Sequence, residues 1–129
     1  AHGKYPEGFV PTLNFDLIRK VRALTSVPLA LHGTSGAGDE NIRKAVEAGI
    51  NKVNVATEIF CACRDYAKKR LEEEPEVEYL QLCVEIERRC KETCRHFIRL
   101  TGSSGKAANF SPRYDFTHSV DRSLLDGAE

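Results

Sequence analysis

Residues 27 to 36, Val27-Pro28-Leu29-Ala30-Leu31-His32-Gly33-Thr34-Ser35-Gly36, decide how the rest of this 129-residue chain reads. Val27 to Leu31 is a short, unbroken apolar run that ends in turn-forming residues. A strand of a parallel sheet with both faces covered has that look. His32 falls on the last turn of the strand, ahead of small residues and a helix start. It therefore sits at the carboxyl end of the sheet, where α/β folds bind their ligands. Taken singly, a histidine at a strand end is an ordinary surface or hydrogen-bonded residue. Its neighbours on both sides in sequence are what give it weight.

Upstream, Ala1-His2-Gly3 reads as the end of a strand whose body is absent. Lys4 to Asn14 has two prolines and a glycine without apolar periodicity, which predicts a loop: a mobile active-site cover or a plain connector. From Asn14 the pattern is helical. Asn14 or Asp16 can cap, and Phe15, Ile18, Val21 and Leu24 recur on one face with Leu17 beside them. Downstream, Gly33 to Gly38 forms a turn. Asp39 is expected to cap a helix that turns Ile42, Ala45, Val46 and Ala48 inward and closes on Gly49. Lys52 to Val55 is the next strand, with Thr57 as the N-cap of a further helix. Loop, helix, strand, helix, strand, helix is the alternation of parallel βαβ units.

The remainder is expected to be helical, from Glu58 to Leu71 and from Glu76 to Leu100, with a break at Glu72-Glu73-Glu74-Pro75. The first of these helices turns Ile59, Phe60, Cys63 and Tyr66 inward. Along the second, Tyr79, Cys83, Ile86, Cys90, Cys94 and Phe97 form one apolar seam. Cys83, Cys90 and Cys94 can be read as soft-metal ligands, but three thiols on one helix do not close a tetrahedral site, and buried cysteine commonly packs as a small hydrophobe. Gly102 to Gly105 stops the helix, and residues 108–129 read as a loosely ordered tail.

Nineteen Lys+Arg balance nineteen Asp+Glu. A zero net charge argues against nucleic acid or an anionic membrane surface as the main partner. No apolar run approaches the ~20 residues of a membrane span. An odd count of five cysteines offers no disulfide framework, so a reducing, cytoplasmic setting is expected. The chain starts without methionine inside what reads as a functional motif, and is expected to be a piece of a longer one.

His2 and His32 are separated by about one βαβ repeat. At the ends of neighbouring parallel strands their backbones would lie roughly 5 Å apart, close enough for two imidazoles to reach one metal at about 2.0 to 2.1 Å. A catalytic zinc takes three protein ligands; His96 and His118 are not placed to be the third. The second partner of His32 is Asn54-Val55-Ala56-Thr57. With Gly33 to Gly36 it gives two successive strand-end loops, each running into a helix N-terminus, where unpaired N–H groups and the helix dipole favour a phosphate. Ser35 and Thr57 can add hydroxyl donors.

His2-Gly3, Leu31 to Gly36 (LHGTSG) and Lys52 to Glu58 (KVNVATE), in that order and at those intervals, resemble the C-terminal part of the class II, zinc-dependent ketose-bisphosphate aldolases. The resemblance covers Ala1 to Ala107, including GSSGKA at Gly102 to Ala107. Ala56 is closer to the tagatose-bisphosphate branch than to the fructose-bisphosphate branch. The resemblance implies an α/β fold, the C-terminal portion of a (β/α)8 TIM barrel with long C-terminal helices. It also implies His2 and His32 as zinc ligands, with Gly3, Gly33, Thr34, Ser35, Asn54, Val55, Ala56 and Thr57 holding the dihydroxyacetone phosphate half of a sugar phosphate. Zinc would polarise the ketone and stabilise an enediolate in reversible aldol cleavage. A monovalent cation, Na+ or K+, near the phosphate and a homo-oligomer are implied as well. Thr34 stands where Gly or Ala is usual, which would stiffen the loop or loosen its hold on the phosphate. The third zinc histidine and the proton-transferring aspartate are not among these residues. They are expected from an N-terminal half, without which the chain would be inactive. The competing functional reading is a catalytically inactive phosphate-binding or structural module.

Overall fold

The first helix, α1 (Phe15–Leu24), starts where Asn14 can cap it: the Asn14 side chain accepts from the Leu17 N–H at 2.9 Å, which satisfies one of the donors a helix start leaves open. The computed structural model describes residues 9–34 and 36–107. After α1 come β1 (Leu29–Leu31), α2 (Asp39–Ala48), β2 (Ile50–Val53), α3 (Thr57–Glu73) and α4 (Tyr79–Leu100). The βαβ alternation read from the sequence is therefore present. The tail 108–129 lies outside the described residues.

β1 and β2 pair in parallel, with Ala30 opposite Lys52 and Leu31 opposite Val53. The register slips between Leu29 and Ala30, and the Asn51 side chain fills the gap by accepting from the Leu29 N–H at 3.0 Å. The right-handed crossover that joins parallel strands needs a helix, and α2 supplies it. Gly49 ends α2 with φ +119°, and a Cβ there would lie 2.7 Å from the Arg22 side chain. α1 can lean on α2 only because that Cβ is missing.

The core is small: Ala37, Ile42, Ala45, Ala48 and Ile50. It joins α2 to the inner side of the sheet. The strands are shorter than the sequence reading of Val27 to Leu31 and Lys52 to Val55, and they are covered on one face rather than two. Val27 is exposed, as are Ala30 and Lys52 on the open face. The apolar face of α1 is likewise largely bare, with Leu17, Val21 and Leu24 exposed. Among the described residues, a two-stranded sheet with four helices does not have enough layers to bury them.

α3 and α4 form an antiparallel hairpin. The Arg70 guanidinium meets the Glu85 carboxylate at 2.9 Å, and Tyr66 and Gln81 donate to the same carboxylate at 3.1 and 3.0 Å. The hydrogen bond from Gln81, followed by those from Arg70 and Tyr66, holds the Glu85 carboxyl below its usual range despite burial. Cys63 of α3 packs against Cys90 and Cys94 of α4, and burial pushes the Cys63 and Cys94 thiols up, as do their neighbouring thiols. All five cysteines are free and partly buried. Phe60 and Tyr79, expected inside, are exposed.

The predicted helix boundaries shift slightly. α3 runs on to Glu73, supported by the Lys69–Glu73 pair at 3.6 Å one turn apart. α4 starts at Tyr79 rather than Glu76, because a turn at Glu74 to Val77 comes first and Glu78 then caps by accepting from the Gln81 N–H. Among the described residues no helix is long and apolar enough to cross a membrane.

Candidate functional site

The ladder between β1 and β2 continues one step past the strands: the Asn54 N–H donates to the Leu31 carbonyl at 3.0 Å. His32 and Asn54 thereby become neighbours at the carboxyl end of the sheet, and the Asn54 side-chain nitrogen lies 2.9 Å from His32 Nδ1. Side chains alternate along a strand, so Lys52 and Asn54 share a face. Lys52 Nζ donates to Asn54 Oδ1.

Thr34 ties the two strand-end loops together. It is 2% exposed, and its hydroxyl donates to the Asn54 main-chain carbonyl at 3.0 Å. Its side chain thus points into the molecule, away from the mouth of the loop. A residue larger than Gly or Ala is accommodated here with its hydroxyl turned to the neighbouring loop. Behind it the chain turns sharply, with Ala37 N–H donating to the Thr34 carbonyl at 2.9 Å and Gly36 at φ +74°, a conformation that favours glycine.

Among the described residues, both loops lead into helices whose N-cap residue supplies no side-chain cap. Gly38 precedes α2 and Ala56 precedes α3. The expected caps, Asp39 and Thr57, are instead the first residues of their helices, because in both cases the chain enters the helical conformation one residue earlier than a cap at that position would require. Asp39 and Glu40 in the first turn of α2 would repel an anion there, but each has a cationic or ionisable partner. His96 of α4 lies 3.1 Å from Asp39, and Arg43 and Lys44 lie 2.9 and 3.3 Å from Glu40. Glu58, the first acidic residue of α3, has one carboxylate oxygen buried without a hydrogen bond.

The structure therefore unites His32, Gly33, Thr34 and Asn54, with Val55, Ala56 and Thr57 following on the same loop. His2, Gly3 and Ser35 lie outside the described residues. Among the described residues no group of three or more His, Cys, Asp or Glu side chains is placed to hold a metal. Lys52 was not singled out from the sequence, although its i, i+2 spacing to Asn54 on a strand was the available signal.

Residues 1–106 match the model of the family described as fructose-bisphosphate aldolase class-II. The chain belongs to the class II fructose-bisphosphate aldolase family. It is similar to an uncharacterised protein, YdjI, of Escherichia coli strain K12, with 41% identity over 106 residues. It is also similar to the crystal structure of the YdjI aldolase from E. coli K12, with a TM-score of 0.72 at 38% identity. These matches take in 82% and 83% of this chain but only 36% of the curated relative and 38% of the solved chain. The chain spans little more than a third of the relatives it matches.

Proposed function

We propose that this chain is the last part of a (β/α)8 barrel, residues 1–107, in a zinc-dependent class II aldolase. The reaction is the reversible cleavage of a ketose 1,6-bisphosphate, of fructose or tagatose type, to dihydroxyacetone phosphate and glyceraldehyde 3-phosphate. The observation that carries this reading is the placement of His32 beside Asn54 at the carboxyl ends of adjacent parallel strands, the ligand-binding end of such a barrel. The family match over the same residues supports it.

In this reading His2 and His32 are two of the zinc ligands, and the third comes from polypeptide outside the present residues. His32 fits the role: it is exposed at a strand end, imidazole nitrogen suits zinc, and a neighbouring amide orients the ring. Zinc, when bound, supplies a Lewis acid for the substrate ketone. The chain's own residues bind and orient. Main-chain N–H groups of Gly3, Gly33 to Ser35 and Asn54 to Thr57 cradle the phosphate of the dihydroxyacetone phosphate half, with Na+ or K+ beside it, and the uncapped helix starts add a favourable field. The bare sheet face and the exposed face of α1 are the surfaces the rest of the barrel would cover. A homo-oligomer in a reducing cytoplasm, without nucleic acid or membrane as partner, completes the proposal.

The test is a cleavage assay with fructose and tagatose 1,6-bisphosphates on the protein with its barrel complete. Turnover should vanish on chelation, return with zinc, and be absent in His32→Ala. Turnover that survives His32→Ala, or zinc-loaded protein that cleaves neither sugar, overturns the reading.

A further inference from the structure

We propose that the exposed side of α4 is a self-association surface, and that its occupant is α4 of a second copy of this chain, lying antiparallel. α4 meets α3 through Glu85, Ile86 and Cys90. Roughly a third of a turn round the helix from that face, Leu80, Val84, Glu87, Lys91, Cys94 and Ile98 follow one another at alternating steps of four and three. Such steps keep side chains on one stripe, the spacing by which helices pair in coiled coils. Leu80, Val84 and Ile98 are exposed, and the Glu87 and Lys91 side chains are 60% and 59% exposed. Cys94, half-buried, marks the edge nearest α3.

The order of the stripe selects the occupant. Its positions are symmetric about residue 89: 80 and 98, 84 and 94, and 87 and 91 each stand equally far from it. A second α4 turned end for end therefore brings Leu80 against the partner's Ile98, and Val84 against the partner's Cys94. Glu87 meets the partner's Lys91 in the middle. Each contact occurs twice, as a two-fold interface demands. The Glu87–Lys91 pair within the helix, at 2.6 Å, then closes with its copy into a ring of four alternating charges. A parallel pairing would stack Glu87 on Glu87 and Lys91 on Lys91, a costly juxtaposition. A contact with unrelated polypeptide needs no such symmetry in the stripe. At 1.5 Å per residue the stripe runs about 27 Å along the helix. Arg88, exposed beside the axis, has a long stem that can carry its charge outward. This inference deepens the homo-oligomer reading above by naming its surface, and it requires neither zinc nor sugar.

The experiment is sedimentation equilibrium of the protein with its barrel complete, in reducing buffer. The wild type should associate into an even number of copies. Glu87→Lys sets lysine opposite the partner's Lys91 at two places and should weaken association about 10-fold or more. Lys91→Glu should do the same. The two substitutions together should restore assembly, since the charges have only changed places. All of these positions are exposed, so the variants should fold. Val84→Cys, treated with oxidised glutathione, should give a dimer linked from residue 84 to Cys94, read by peptide mass spectrometry. Leu80→Cys, which faces the partner's Ile98, should not. A monomeric wild type, whatever covers the stripe, would overturn the proposal. So would association indifferent to Glu87→Lys, or a double variant no better than the single ones. The measurement reads mass alone, so its failure is distinct from a failure of aldolase turnover.

Discussion

Replacing Thr34 by valine keeps the shape of the side chain and removes one hydroxyl, the group that joins the His32 loop to the Asn54 loop. The hydroxyl is 3.0 Å from the Asn54 carbonyl in a residue only 2% exposed. A net intramolecular hydrogen bond contributes about 0.5 to 1.5 kcal/mol, and leaving its acceptor unpaired in a buried position costs about 1 to 3 kcal/mol. The carbonyl keeps partial access to solvent, so a loss of about 1 to 2 kcal/mol is expected for Thr34→Val. Thr34→Ser keeps the hydroxyl and loses one methyl group, at about 0.8 kcal/mol. Urea denaturation of the protein should show midpoints falling in both variants with unchanged m. Kinetics should separate them: KM for the bisphosphate rises in valine and stays near wild type in serine, because only valine uncouples the loops. A Thr34→Val protein as stable as wild type, with the same KM, would refute the coupling.

Other outcomes follow from the surrounding structure. Gly49→Ala should cost about 1 to 3 kcal/mol, read from denaturation: its φ of +119° disfavours a side chain and its Cβ would meet Arg22 at 2.7 Å. Glu85 has a folded-state pKa below its unfolded value, so its contribution is complete above the ordinary carboxylate value of about 4.3 and fades as pH falls through the lower folded value. Acid melts should show that loss, and Glu85→Gln should lack it. Cys63 and Cys94, with raised thiol pKa values, should be alkylated more slowly than a free thiol at neutral pH when followed by mass spectrometry. The 129-residue chain alone should melt without a sharp transition, since its core is so small; a cooperative monomeric melt would contradict this.

The sequence made the βαβ order legible because the periods change cleanly at Asn14, Val27, Asp39 and Lys52. It also placed His32 and Asn54 together, since consecutive parallel strands put their ends side by side. What it could not show was the inward turn of Thr34, because a threonine in a glycine-rich loop reads the same whichever way it faces. Lys52 escaped notice because a charged residue on a short strand reads as a solvated face, and only the register with Ala30 and the step to Asn54 give it a task. Exposed Phe60, Tyr79 and Leu24 misled for another reason. Their apolar periodicity is real, but the described residues provide no surface opposite them.

The most direct test of the central claim is zinc-edge anomalous diffraction from crystals of the protein grown with zinc and dihydroxyacetone phosphate. The account predicts one zinc with a His32 ring nitrogen at about 2.0 to 2.1 Å and the phosphate against the loops at Gly33 to Gly36 and Asn54 to Thr57. Zinc bound away from His32, or a phosphate lodged on another face of the molecule, would contradict it.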